Sequence, residues 1–78
     1  MTEQDRKRNA TLSRIKSPLS TTKSMNISVI NALYNNMLHD LNLLKEIGFL
    51  SSKDYETELS SMKEVYISKA LACVGYED

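Results

Sequence analysis

The sequence predicts an all-α fold: an antiparallel helical hairpin, dimerising into a four-helix bundle, with a disordered basic N-terminal arm. Three observations point there. Apolar residues after Met25 recur at steps of three and four, a glycine followed by a helix-start pattern interrupts them once, and the first 24 residues are polar and basic. At 78 residues the chain allows one domain at most and little room for a core that could enclose a substrate.

Residues 1–24 form the expected arm. They hold six Lys or Arg against two acids, a balance of +4, whereas residues 25–78 hold four Lys against eight acids, a balance of −4. The formal neutrality of the chain is therefore a cancellation between unlike parts. Leu12, Ile15 and Leu19 are the sizeable apolar residues of the arm after Met1, too few to offset the entropy of ordering it. Pro18 is expected to break any helix begun around Leu12 to Lys16, and it pushes Ser17 toward extended geometry.

Residues 25–78 form the expected hairpin. Ile27, Ile30, Tyr34, Met37, Leu41 and Leu44 make a coiled-coil-like stripe, widened by Leu33, Leu38 and Ile47, which predicts a helix over 26–47. Asn35, Asn36, Asp40, Asn42 and Lys45 fall largely on the other side. Gly48 can take the left-handed conformation that closes many helices, and 48–51 is the loop. Ser51 then has the grammar of a cap, with Asp54 at the positive end of the next helix dipole and Leu50 placed to clip onto Tyr55. The second helix is predicted over 52–74, with Tyr55, Leu59, Met62, Tyr66, Ala70 and Cys73 or Val74 as its stripe and the polar Tyr76–Asp78 tail beyond its end.

Two helices alone bury too little apolar surface to offset the ordering of about 54 residues, so a second chain is expected to cover them. A homodimeric four-helix bundle is the simplest closed solution. The expected interface comprises Ile30, Tyr34, Met37, Leu41 and Leu44 of the first helix with Tyr55, Leu59, Met62 and Tyr66 of the second.

The run Leu41-x-x-Leu44-x-x-x-Gly48-x-Leu50-Ser51-x-x-Asp54-Tyr55 resembles the core of the SHOCT-type short helical module, in which a Leu-rich helix ends in Gly, a hydrophobic residue and Ser or Thr before a second helix opens with an acid and an aromatic. The likeness covers about 25 of the 78 residues. Glu58, Ser60 and Ser61 depart from the Lys-rich second helix usual there. The resemblance implies oligomerisation or attachment rather than catalysis. In architecture and length the chain is also similar to Rop-type dimeric helical hairpins, which bind paired RNA loops; no residue is carried over from them.

No catalytic, metal-binding or nucleotide motif stands out, so no cofactor and no small-molecule substrate are expected, and the chain is read as a non-enzyme. His39 lies outside the seam with no nucleophile or orienting group nominated beside it. Cys73 sits on an apolar stripe near a helix end that does not favour a thiolate. Neither a signal-peptide core nor a run of eighteen apolar residues is present, from which an intracellular protein without a membrane span is expected.

Function then narrows to recognition, as a small regulator or adaptor that binds itself, a larger protein, or both. The alternative is a nucleic-acid regulator whose arm contacts phosphates through Arg6, Lys7, Arg8, Arg14 and Lys16, without aromatic residues interleaved to stack on bases; the same five residues could instead meet a protein partner or the acidic face of the chain itself. Lys16-Ser17-Pro18 resembles a proline-directed kinase site, and phosphorylation of Ser17 would remove nearly two charges from the arm.

Overall fold

In the computed structural model, residues 2–75 are described and form three α-helices: α1 (Glu3–Thr21), α2 (Ile27–Glu46) and α3 (Ser52–Val74). The polar tail Tyr76–Asp78 lies outside the described residues. Each helix opens on a polar side chain that satisfies an amide of its own first turn. Thr2 Oγ1 accepts from the Asp5 N–H at 3.1 Å, Asn26 Oδ1 from Ser28 at 2.9 Å, and Ser51 Oγ from Asp54 at 3.1 Å. Acids in the first turns of α1 and α3, Glu3, Asp5 and Asp54, meet the positive ends of the dipoles.

The turn from α2 to α3 is a compact helix stop. Gly48 has φ +80°, the Gly48 N–H donates to Lys45 O at 3.1 Å, and the Phe49 N–H donates to Leu44 O at 2.9 Å. That pair of bonds is a Schellman motif, which satisfies carbonyls the ending helix would otherwise leave open. Chain direction reverses across it. Lys45 sits over the Tyr55 ring near the turn and Asn31 meets Tyr66 further along, so α2 and α3 run in opposite senses.

In place of a disordered arm, residues 3–21 form α1, which packs on both α2 and α3. The physical reason is the spacing of its three apolar residues. Leu12, Ile15 and Leu19 stand at i, i+3 and i+7, one stripe of a helix, and Leu12 and Leu19 enter the core while Ile15 packs against it. Pro18 lies inside this helix without ending it. A proline in a helix interior costs about 3 kcal/mol, but each buried leucine returns about 1.5–3 kcal/mol, so the two leucines offset it. Pro18 itself is exposed, which leaves water free to solvate the carbonyl that has lost its donor.

Residues 22–26 bridge α1 to α2 by a ladder of short polar contacts. Thr22 Oγ1 accepts from the Ser24 N–H, and Ser24 Oγ from the Asn26 N–H, both at 3.2 Å. Such local bonds let Ser, Thr and Asn hold an extended link in shape.

The core among the described residues is Leu12, Leu19, Ile30, Met37, Leu41, Leu50 and Met62. No polar or charged side chain is buried with them. Four of these residues, Ile30, Met37, Leu41 and Met62, belong to the stripe that the sequence assigns to contact between chains; here α1 of the same chain contributes the leucines that meet them. A three-helix core thus stands where a two-helix unit awaiting a second chain is expected.

Leu19→Ala should destabilise the fold by about 2–5 kcal/mol through the cavity it leaves. Urea unfolding followed by circular dichroism measures this; an unchanged midpoint would show that α1 does not pack. Pro18→Ala should raise the same midpoint, by up to about 3 kcal/mol of stability, because it restores a helical donor where φ already suits a helix.

Candidate functional site

Two surfaces carry the residues of interest: the side of α3 that faces α1, and the side of α2 and α3 turned away from it. Asp54, Glu58, Met62 and Lys69 recur along one side of α3, and each meets α1 or the link that follows it. Arg8 reaches Asp54 at 3.3 Å and Asp5 at 3.4 Å. Lys16 places its ammonium 2.9 and 3.2 Å from the two Glu58 carboxylate oxygens. Lys69 donates to the Thr22 carbonyl at 3.1 Å, which ties the link to α3. These contacts progress in the same direction along both helices, so α1 and α3 run parallel.

The charge contrast between the N-terminal segment and the rest of the chain is therefore partly consumed inside the molecule. Of the five basic residues proposed for phosphate or partner contact, Arg8 and Lys16 are engaged with carboxylates, whereas Arg6, Lys7 and Arg14 are exposed. Ser17 is half-buried within α1, and its carbonyl accepts from the Thr21 hydroxyl at 2.7 Å. Lys7 and Arg8 also border an open cleft of about 420 Å³ with Gln4, Asp5, Gly48 and Phe49.

On the side away from α1, the tyrosines assigned to the seam stay within the chain. Tyr34 and Tyr66 stack with ring centroids 4.2 Å apart and planes 15° from parallel. The Tyr66 hydroxyl donates to Asn31 Oδ1 at 2.6 Å, and the Lys45 ammonium lies 4.9 Å from the Tyr55 ring centre. The rings thus pack while their polar groups stay at the rim. Leu44, Leu59 and Tyr55, further toward the Gly48 turn, are half-buried.

Next to this stack lies an apolar strip of which Ile67 and Leu71 fall outside the stripes expected from the sequence. Ile67, Leu71 and Val74 stand at i, i+4 and i+7 on α3 and are 45%, 42% and 54% exposed. Because α2 runs against α3, Ile27, itself 37% exposed, comes level with the last turns of α3. It shares a side of α2 with Asn31 and Tyr34, which already touch Tyr66, so the strip continues from one helix to the other. The signal is present in the sequence as a second apolar row on α3, one position removed from the Tyr66 and Ala70 row. The other exposed apolar residues of α2, Val29 and Leu43, and Ile47 just past its end, are interrupted by Asn36 and Asp40.

His39 is exposed on α2, and Cys73 is half-buried against the core. Among the described residues, no three His, Cys, Asp or Glu side chains gather where they could hold a metal ion. No described helix is long and apolar enough to cross a membrane.

The Lys16–Glu58 pair should couple α1 to α3 by roughly 0.5–1 kcal/mol, near the upper end for a pair still touched by solvent. A double-mutant cycle of Lys16→Met and Glu58→Gln, read by urea unfolding, measures that coupling, and it should shrink as salt is raised. Strict additivity at low salt would mean that the pair does not help to hold α1. Compared with protein-family models, with curated proteins and with solved structures, the chain matches none.

Proposed function

We propose that this chain is a non-enzymatic protein-interaction module, a small adaptor or regulator that works by presenting the α2–α3 face to another polypeptide. The observation that carries this reading is the Ile67–Leu71–Val74 row, continued by Ile27, left exposed on the side opposite α1. Isolated exposed apolar residues are ordinary on any surface; a row at helical spacing across two neighbouring helices is the form in which helix-binding faces occur. Covering these four side chains would contribute on the order of 1 kcal/mol each, since about half of each is already buried.

The face is also prepared for contact. Stacked Tyr34 and Tyr66 and the Asn31 bond stiffen its floor, so little side-chain entropy remains to be lost there on binding. Phosphate recognition by the N-terminal segment has weaker support, because Arg8 and Lys16 already face Asp54 and Glu58, which leaves Arg6, Lys7 and Arg14 as the exposed cations of α1 among the described residues.

A photo-crosslinking amino acid introduced at Leu71 should capture a polypeptide in cells that make the protein, whereas the same probe at Lys7 should capture none. Absence of any adduct at position 71, or equal yields at both positions, would overturn the reading.

A further inference from the structure

We infer that Ser17 is a phosphorylation site for a proline-directed Ser/Thr kinase, and that the phosphate loosens the C-terminal half of α1 from the rest of the fold. This goes beyond the interaction reading above and does not depend on it.

Pro18 supplies the first argument. It is the one proline of the chain, and it stands inside α1, where it removes the amide that would otherwise bond to the Arg14 carbonyl. Packing does not ask for it, since Pro18 is exposed. A residue that breaks a local rule without a structural return marks a functional constraint, and a kinase that reads the proline directly after its acceptor serine supplies one. Ser17 is the sole Ser or Thr of the chain with proline after it.

The setting of the acceptor supplies the second. Ser17 borders an open cleft of about 400 Å³ between α1 and α3, together with Ser13, Lys16, Ser20 and Glu58. Its hydroxyl makes no hydrogen bond among the described residues, whereas Ser20 donates to Met62 and Thr21 to the Ser17 carbonyl. A kinase binds its acceptor segment in extended form, and the bond missing at Pro18 makes this turn the cheapest part of α1 to open. In the transfer, Ser17 Oγ forms a bond to the γ-phosphorus of ATP. The bond from that phosphorus to the bridging oxygen breaks, its electron pair leaves on ADP, and the hydroxyl proton passes to the base of the kinase.

What the phosphate would meet supplies the third. It carries a charge of about −1.5 to −2 at pH 7. Ser17 precedes the last turn of α1, which holds no basic residue, so the charge falls near the negative end of the helix dipole. Glu58 on α3 is a like charge, and the phosphate competes with it for Lys16, its partner at 2.9 Å in the least exposed ion pair among the described residues. Arg14, three residues earlier and exposed, would hold one phosphate oxygen, but a surface pair of this kind offsets little. The weakening falls on the segment that carries Leu19, which is fully buried.

Incubation of the full chain with ATP, magnesium and each of two purified proline-directed kinases, followed by peptide mapping by mass spectrometry, tests the site. One phosphate should be found, on Ser17. Ser17→Ala should take none. Pro18→Ala and Pro18→Gly should both lose the incorporation; the glycine variant keeps this turn weak, so its loss reports recognition of the proline rather than a firmer helix. In the phosphorylated protein, amide hydrogen exchange across 15–21 should quicken by about tenfold, while the first turns of α3 exchange as before. Absence of phosphate on Ser17 with both kinases, incorporation in Pro18→Gly equal to the wild type, or unchanged exchange across 15–21 after phosphorylation would each overturn the inference.

Discussion

Leu12, Ile15 and Leu19 hold the molecule closed, because they are the apolar contribution of a helix that is otherwise polar and charged. Leu19 is fully buried, as are Ile30 and Leu41 of α2. Remove the row from α1 and the remaining two helices expose the surface that their stripes were built to cover, a poor exchange against the entropy of ordering them. The ends of all three helices and the ion pairs along α1 add to this contact. None of them could replace it, since each is worth a fraction of what two buried leucines contribute.

Electrostatics follow from the same packing. A basic segment beside an acidic remainder can recruit an outside partner, or it can fold back on its own chain. Here α1 lies parallel to α3, which sets Arg8 and Lys16 opposite Asp54 and Glu58. These bonds orient α1 and oppose sliding along α3, while the more exposed Arg8–Asp54 pair adds little energy. Arg6, Lys7 and Arg14 stay exposed on α1.

Once α1 occupies one side of the α2–α3 pair, the opposite side is defined as the open one. Its aromatic floor is internally satisfied by the Tyr34–Tyr66 stack and the Asn31 bond, and its apolar rim is Ile27, Ile67, Leu71 and Val74. Placement of one helix thus sets which residues serve stability and which remain available for recognition. Residues that look equivalent along the sequence, such as Met62 and Leu71, end in opposite roles.

By itself the sequence determined what depends on near neighbours along the chain: helical periodicity after Met25, the Gly48 turn and the Ser51 cap, each written within a few residues. The spacing of Leu12, Ile15 and Leu19 was equally legible as a pattern, yet its weight was not, because three apolar residues beside a proline cannot order a helix alone. Only the tertiary structure decided that α1 folds, since the surface that rewards it is made by α2 and α3. It likewise decided that Ile30, Met37, Leu41 and Met62 are interior and that the Ile67–Leu71–Val74 row is not. A helical period shows that two rows exist on α3, but burial belongs to whichever row another helix reaches, and that is a property of three elements in space.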